Sequence, residues 1–362
     1  MAESINTALY MDRDCQMTVR RDFNIPKPQA DEVLIEVEFS GVNPADIRHG
    51  TQLGVVPAVL GYDFSGRVVS GPSGSGLSPG NAVAGMTPTG VGRPARYGAH
   101  QKFLACPVDW LFRVPTALMP MPDAACLSVV ASTAADVMFN IFSFPLPSQS
   151  PNQSEGNSKG GPLLIWGGST AVGCCTIQFA RACGVKPIFV TASPARHELL
   201  KSLGATLCFD YRDPDVIAKI LAAVEAQQQG PVRYALDAAG SFGASDGGPS
   251  SFEQMVSCCP ANARLSSVTS QDPRSSFPLA TRARDVVLAI PGLPRPMTFP
   301  ADQAKSAKIT AGLHWAVENY GKGFLLPAIR TWSGKAEDAL DELRNVDAQG
   351  TFGKLAIQHP LQ

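Results

Sequence analysis

The sequence predicts an α/β protein in which a β-rich part is followed by a doubly wound parallel sheet. In the first part, runs such as EVLIEVEFSGV and FSGRVVSG alternate apolar and polar residues, with glycine and proline between them. From Leu163 to Val268, short apolar runs instead alternate with segments of helical spacing. Such alternation is typical of βαβ units, which require a parallel sheet.

The individual elements follow from these patterns. PLLIWGG, KPIFVTAS, ATLCFDYR and VRYALDAAG are predicted strands, and STAVGCCTIQFARACG, PARHELLKSLGA and DPDVIAKILAAVEAQQ are predicted helices. A further helix is predicted from Pro122, and the polar stretch 143–161 is predicted to be an exposed loop. We therefore expect a β-rich domain over 1–126, a nucleotide-binding domain over 127–299, and a return to the first domain over 300–362.

The overall composition points away from several protein classes. The net charge is -1 and 17% of residues are charged, so no global field draws the chain to nucleic acid or to an anionic membrane. The first residues lack the pattern of a signal peptide, and no apolar run reaches about 18 residues. We expect a soluble cytoplasmic protein, a monomer rather than a dimer, with no nucleic-acid or membrane partner.

The positions of the cysteines in the sequence predict that they are packing residues. The nine cysteines include no C-x-x-C pair, and most lie in apolar runs. Cys174 and Cys175 are adjacent on a predicted helix, where neighbouring side chains point about 100° apart and rarely form a disulfide. We expect reduced cysteines, with these two packing against the sheet.

A glycine-rich turn follows the first predicted parallel strand. Its register is Gly168-Ser169-Thr170-Ala171-Val172-Gly173, so Thr170 stands at the middle glycine position of a dinucleotide fingerprint. A strand, such a turn and a helix together aim backbone N–H groups at a pyrophosphate. We expect the Ser169 and Thr170 hydroxyls to add donors; the alternative is a tight turn without a ligand.

The end of the second parallel strand indicates which dinucleotide is bound. No Asp or Glu lies in the stretch 190–197, where an acid would favour NAD(H). Ser193 and Arg196 instead suit a 2′-phosphate, because a guanidinium forms charge-assisted hydrogen bonds to phosphate. NADPH is the predicted cofactor. The alternative is that Ser193 caps a helix and Arg196 is only solvated.

Ordered motifs then identify a resemblance: GVNPADIRHG (41–50), GYDFSGRVV (61–69), ASTAADVMF (131–139), GGSTAVG (167–173), FDYR (209–212), YALDAAG (234–240) and GKLAI (353–357). Together they resemble the zinc-free quinone-oxidoreductase branch of the medium-chain dehydrogenase/reductases, over essentially the whole chain. The chain looks most like fungal trans-acting enoyl reductases, which serve polyketide synthases, including those fused to peptide synthetases. The resemblance implies a GroES-like β-rich catalytic domain and a Rossmann domain.

The resemblance also implies a reaction and a partner. Hydride from NADPH would pass to the β-carbon of an α,β-unsaturated polyketide thioester on an acyl carrier protein. The alternatives are a free-standing NADPH:quinone or enone reductase and a non-catalytic NADPH-binding member of the family. A basic stretch containing Arg282 and Arg284 is a candidate surface for an acidic carrier.

By the same resemblance, two sets of residues are carried over, and none is assigned as a certain catalytic residue. The cofactor set is Ala45, Asp46, Ile47, Arg48, Ser169, Thr170, Ala171, Val172, Ser193, Pro194, Ala195, Arg196, Tyr211, Ser267, Val268, Phe352 and Gly353. The substrate set is Thr133, Ala134, Ala135, Asp136, Val137, Met138, Phe139, Asn140 and Leu293. The alternatives are a surface role for Arg48, core packing for 133–140 and core filling for Tyr211. Arg48 stands where the family often has lysine, and a guanidinium does not give up a proton.

Zinc is not expected. Zinc-dependent members carry a cysteine where this chain has Asn43 and a Gly-His-Glu motif where it has Gly61-Tyr62-Asp63. Thiolate and imidazole ligands are therefore missing at these positions.

Overall fold

The computed structural model describes residues 6–149, 161–243, 248–269, 272–349 and 352–362. Its strands, in chain order, are β1 Asn6–Met11, β2 Met17–Phe23, β3 Glu32–Val42, β4 Ala58–Val59, β5 Asp63–Ser70, β6 Ala82–Met86, β7 Phe103–Pro107, β8 Leu111–Arg113, β9 Leu163–Trp166, β10 Ile188–Thr191, β11 Leu207–Phe209, β12 Tyr234–Asp237, β13 Arg264–Ser267, β14 Ser275–Ser276, β15 Val286–Leu288, β16 Met297–Phe299, β17 Ile329–Trp332 and β18 Lys354–Gln358.

The α-helices are α1 Ala45–Leu53, α2 Met121–Ala125, α3 Ser128–Ala135, α4 Ala171–Ala182, α5 His197–Leu203, α6 Val216–Gln227, α7 Ser251–Val256, α8 Gln303–Glu318 and α9 Ala336–Gln349. A π-helical segment covers Asp136–Ile141, and short 3-10 turns cover Ala95–Tyr97, Val108–Trp110, Pro147–Gln149 and Pro194–Arg196. The predicted loop 143–161 begins inside the described part, while residues 150–160 lie outside it.

The chain forms two compact units. The first comprises Met1–Val129, Arg282–Asp302 and Leu326–Gln362, and the second comprises Val130–Thr281 and Gln303–Leu325.

This division differs from the predicted boundaries at two segments. Residues 282–299 belong to the first unit, because the β15–β16 hairpin packs Val286 and Leu288 against Val55. Residues 303–325 belong to the second unit, because α8 packs there: Trp315 lies against Phe179, with ring centroids 5.8 Å apart. Both segments are too short to build a core alone, so their position depends on contacts that are distant in sequence.

The first unit is β-rich, as predicted. Seven strands form its main sheet, in the order β17-β18-β3-β5-β6-β8, with β7 also pairing with β3. A smaller sheet has the order β2-β1-β4. Apolar residues of β1, β3, β18 and α9 form one core, which includes Leu9, Val42, Leu340 and Ile357.

The second unit contains the predicted doubly wound sheet. Six parallel strands follow the order β11-β10-β9-β12-β13-β14. All four residues of β9 are buried, as a strand covered by helices on both faces requires. Cys174 and Cys175 are fully buried on α4 and, among the described residues, neither is in a disulfide; burial raises the pKa of the Cys174 thiol to about 12. The packing interpretation of both cysteines therefore agrees with the structure.

Among the described residues, no helix is long and apolar enough to cross a membrane.

Candidate functional site

The predicted cofactor residues of the second unit meet at one edge of its sheet. Segment 169–172 follows β9, 193–196 follows β10, Tyr211 follows β11, and 267–268 lies at the end of β13. Because the strands are parallel and neighbours, their carboxyl ends share that edge. The strand order reverses at β9, which has β10 on one side and β12 on the other. In open α/β sheets, ligands bind outside the carboxyl ends of the strands at such a reversal.

The turn after β9 is shaped by its glycines. Gly167 has φ +85°, and a Cβ there would lie 2.7 Å from the backbone nitrogen of Ala239, in the loop after β12. A Cβ on Gly173 would lie 2.5 Å from the carbonyl oxygen of Gly167. The Gly167 N–H also donates to Thr191 Oγ1 at 3.0 Å. The turn therefore has no room for a side chain at Gly167 or Gly173, because the backbone that follows β9 lies close to the backbone that follows β12.

Thr170 has a role within the protein that the sequence did not indicate. Its Oγ1 accepts a hydrogen bond from the Gly173 N–H at 3.0 Å, so Thr170 is the N-cap of α4. The first N–H groups of a helix have no acceptor within the helix, and those of Ala171 and Val172 belong to this set. Oriented N–H groups and a helix N-terminus beside a glycine cradle fit the pyrophosphate of a dinucleotide.

The structure excludes helix capping, which was the alternative role for Ser193 at the end of β10. Ser193 precedes the 3-10 turn, but its side chain makes no capping hydrogen bond to it. Pro194 and Ala195 are exposed, and Arg196 is half-buried. The nearest acid along the chain, Glu198, forms an exposed ion pair with Lys201. The stretch 190–197 has no Asp or Glu, which would favour NAD(H). Ser193 and Arg196 in this stretch suit a phosphate on the ribose.

Tyr211 is 41% exposed, so it does not fill the core. The Arg212 guanidinium lies 4.8 Å from the centroid of its ring. An exposed aromatic ring beside a cation offers a flat face to a purine base. Arg212 was not assigned from the sequence, although it belongs to the quoted motif FDYR.

Ser267 and Asp237 hold neighbouring strand ends together. The fully buried Ser267 hydroxyl donates to Asp237 Oδ2 at 2.9 Å, and Asp237 Oδ1 accepts from the N–H groups of Ala239 and Gly240. Burial raises the pKa of the Asp237 carboxyl. The Ser267 side chain is thus engaged within the protein, whereas Val268 is half-buried.

Residues 133–140, the predicted substrate segment, end an α-helix and enter the π-helical segment. Such segments often occur at functional sites. Yet Val137, Met138 and Phe139 are fully buried, and the Phe139 ring packs edge-on against Phe179 at 5.3 Å. The structure therefore supports the packing alternative for these three side chains.

The polar members of this segment are also engaged. Asn140 Nδ2 donates to Asp136 Oδ1 at 2.8 Å, and the Leu279 N–H donates to Asp136 Oδ2 at 2.9 Å. Ala134 and Ala135 are buried and Thr133 is 9% exposed.

Leu293, the remaining residue of the predicted substrate set, is 46% exposed and lies in the first unit, on the turn between β15 and β16.

In the first unit, two predicted cofactor segments adjoin the same pair of strands. Leu355 of β18 lies opposite Val42 of β3 in the antiparallel register. The segment 352–353 comes just before β18 and the segment 45–48 comes shortly after β3, so both adjoin the same end of this strand pair. Gly353 has φ +92°, and a Cβ there would lie 2.1 Å from the Ala328 carbonyl oxygen.

A buried polar network supports the start of α1. Asp46, predicted to contact the cofactor, is 3% exposed, and its Oδ2 accepts from the Asn43 N–H at 2.8 Å. The same oxygen lies 3.1 Å from His100 Nε2, and His100 Nδ1 lies 2.8 Å from Ser40 Oγ. Ser40 Oγ in turn lies 2.8 Å from Nε2 of the buried His359. The Asp46 side chain therefore positions the helix from inside the protein.

Lys354 joins this network from the other side. This residue is only 9% exposed, and its ammonium donates to Asn43 Oδ1 at 2.6 Å and to the Val42 carbonyl at 2.7 Å. Asn43 Nδ2 donates to Asp63 Oδ2 at 2.9 Å. Burial raises the pKa of Asp63 to about 6, although the Lys354 charge opposes this shift. No local pattern in the sequence points to Lys354, because its partners lie about 310 residues away in the chain.

His359 gives a prediction for stability. Burial lowers its pKa from 6.5 to about 3, so the folded state binds fewer protons than the unfolded state below pH 6.5. This contribution to stability is complete above pH 6.5 and is lost as pH falls toward 3. At pH 5 the loss is about 2 kcal/mol. We expect urea unfolding of His359→Gln to depend less on pH between 7.5 and 5 than that of wild type. Equal pH dependence in the two proteins would contradict this.

Comparison with known proteins defines the class. The Alcohol dehydrogenase GroES-like domain family matches residues 29–116, and the Zinc-binding dehydrogenase family matches residues 171–292. Together they cover more than half of the chain; the first match lies in the β-rich unit and the second lies mainly in the parallel-sheet unit. The chain belongs to the medium-chain dehydrogenase/reductases, with a GroES-like domain and a Rossmann-type domain.

Within that family, the chain is similar to fungal trans-enoyl reductases. It is 30% identical to one from Trichoderma harzianum over 241 residues, 64% of this chain and 62% of the relative. It is 32% identical to the enoyl reductase component of the lovastatin nonaketide synthase of Aspergillus terreus, over 64% of this chain and 62% of the relative. These two alignments thus span about three fifths of the relatives' own length. A trans-enoyl reductase of Fusarium heterosporum is 29% identical over 99% of both chains.

Solved structures show the same fold. An alcohol dehydrogenase superfamily protein from Novosphingobium aromaticivorans superposes with a TM-score of 0.69 at 23% identity, covering 98% of this chain and 100% of the other.

The residues at the family's catalytic zinc position do not fit zinc. Asn43, in the place of a cysteine ligand, has its amide oxygen bound to the Lys354 ammonium, and an amide already bound to a cation does not replace a thiolate ligand. Tyr62, in the place of a histidine ligand, has its hydroxyl 2.9 Å from His49 Nδ1 and the Arg93 guanidinium 4.2 Å from its ring. Among the described residues, no group of three or more His, Cys, Asp or Glu side chains is arranged to hold a metal ion.

Proposed function

We propose that the chain is a trans-acting, zinc-independent enoyl reductase that uses NADPH to reduce an α,β-unsaturated polyketide thioester carried by an acyl carrier protein. The observation that carries the proposal is the glycine turn 167–173 at the strand-order reversal of the parallel sheet, in a chain similar over its length to a trans-enoyl reductase. In the same proposal the protein is a cytoplasmic monomer.

The residues of the second unit bind and orient the dinucleotide. The N–H groups of Ala171 and Val172 at the start of α4 bind the pyrophosphate, since they have no intrahelical acceptor. Ser193 and Arg196 bind the 2′-phosphate, which selects NADPH over NADH. Tyr211 packs against the adenine. When bound, NADPH supplies the hydride that the β-carbon accepts.

Reduction at the β-carbon places negative charge on the thioester oxygen, and the α-carbon then takes up a proton. Donors directed at that oxygen lower the barrier because they bind the transition state more strongly than the substrate. A guanidinium does not give up its proton in proteins, so in this proposal Arg48 binds an anionic group and does not supply the proton. In this proposal the segment 133–140 carries the substrate contacts, and Thr133 is its hydroxyl-bearing member.

The activity is tested with the purified chain, 4-deuterated NADPH and an enoyl-pantetheine thioester. We expect NADPH oxidation and one deuterium at the β-carbon of the product, with no turnover of simple quinones. Turnover of quinones alone would identify a quinone reductase. Dinucleotide binding without transfer to either acceptor would identify a non-catalytic member of the family.

The partner is tested by reconstitution with a polyketide synthase that lacks a working enoyl reductase domain. The carrier surface is proposed at Arg284, which is 44% exposed and pairs with Asp31 at 2.7 Å. Arg284→Glu is expected to slow reduction of the carrier-bound chain but not of the pantetheine thioester. Equal rates for wild type and variant on the carrier-bound chain would discard this surface.

A further inference from the structure

An ion pair joins α1 to the last turn of α9. Arg48 Nε lies 2.6 Å from Asp347 Oδ1, and Arg48 Nη2 donates to the Asp347 carbonyl at 3.1 Å. The two side chains are 29% and 28% exposed. The Asp347 carbonyl is among the last four of α9, which have no donor within the helix. Arg48 therefore satisfies one of these carbonyls with a positive charge, which is favourable at a helix C-terminus.

The geometry fixes how the guanidinium is presented. Nε and Nη2 share one edge of the planar group, and Asp347 occupies that edge with its side chain and its backbone. A guanidinium has five N–H donors in a rigid fork, so the Nη1 side is left for another acceptor. The segment 352–353 adjoins the end of the β3–β18 strand pair at which β3 leads into the same helix. The ion pair thus sets the plane of Arg48 within one of the two predicted cofactor segments of this unit.

We propose that Asp347 is a positioning residue for dinucleotide binding: it holds the Arg48 guanidinium so that its free donors meet the phosphate groups shared by NADPH and NADH. The inference rests on the proposed function, in which the segment 45–48 contacts the cofactor. Asp347 carries a negative charge that repels a phosphate, but solvent and salt screen this repulsion because the carboxylate is partly exposed. An Arg side chain that is not held in place must lose rotamer entropy when it binds a phosphate. The gain from holding Arg48 in place therefore outweighs the repulsion.

The test compares Asp347→Ala with a matched variant on the same helix. Glu337 also ties α9 to a neighbouring strand, through an exposed ion pair with Arg21 at 2.8 Å. Loss of either pair is expected to change the thermal midpoint similarly. Direct binding of NADPH and of NADH to the whole protein is then measured by calorimetry, without substrate.

We expect Asp347→Ala to weaken binding of both dinucleotides by a similar factor, about 3- to 10-fold, while Glu337→Ala leaves binding unchanged. The weakening should persist at high salt, and dinucleotide binding should be partly restored in Asp347→Asn. The double variant Asp347→Ala with Arg48→Ala should bind no more weakly than Arg48→Ala alone. Unchanged or tighter binding by Asp347→Ala, or weakening by Glu337→Ala to the same extent, would overturn the inference while leaving the proposed function intact. A wild-type chain that binds neither dinucleotide would overturn both.

Discussion

Replacing Arg196 by alanine is expected to raise the KM for NADPH about 10- to 100-fold and to leave the KM for NADH nearly unchanged. A hydrogen bond to a charged group contributes about 1.5–3 kcal/mol, and each 1.4 kcal/mol corresponds to tenfold in affinity. The 2′-phosphate is present in NADPH alone, so the loss should be confined to it. The expectation depends on Arg196 and Ser193 following β10 with no acid in 190–197.

The matched control is Lys201→Ala, which removes a cation from α5, only five residues further on. Lys201 is exposed and pairs with Glu198 at 2.8 Å, so we expect no change in either KM. Arg196→Lys should lie between wild type and alanine, because it keeps the charge and loses the fork of donors. Equal effects of Arg196→Ala on NADPH and NADH would reject the assignment of the 2′-phosphate site.

Replacing Gly173 by alanine is expected to lower the stability of the second unit and to abolish dinucleotide binding. The added Cβ would lie 2.5 Å from the Gly167 carbonyl oxygen and 2.9 Å from Gly168 Cα. Both atoms are backbone, so the turn itself must move. Overpacking of this kind costs about 1–3 kcal/mol. The displaced turn would also misplace the N–H groups at the start of α4.

Gly323→Ala provides the control in the same unit, since a Cβ there meets nothing within 4 Å. We expect its thermal midpoint and its NADPH affinity to match wild type. NADPH affinity is measured well below the unfolding temperature, so that loss of binding is separated from loss of fold. Wild-type affinity in folded Gly173→Ala would show that the turn does not bind the pyrophosphate.

The sequence by itself determined the parallel sheet and the place of the glycine turn, for a local reason. Buried strands, helical spacing and a turn such as 167–173 are written in consecutive residues. Parallel strands bring their carboxyl ends to one edge, so the local pattern alone is enough to expect the segments 169–172, 193–196 and 267–268 together. The assignment of 282–299 and 303–325 to domains failed because short segments take their place from distant apolar partners.

Tertiary structure decided what the individual side chains do. Asp46 and Ser267 were predicted to contact the cofactor, yet their side chains hydrogen-bond within the protein to Asn43 and Asp237. Lys354 and Asp347 received no assignment, because their partners Asn43 and Arg48 lie about 300 residues away in the chain. A local pattern specifies the element that a residue belongs to. Which buried donors and acceptors are paired is settled only when distant elements pack together.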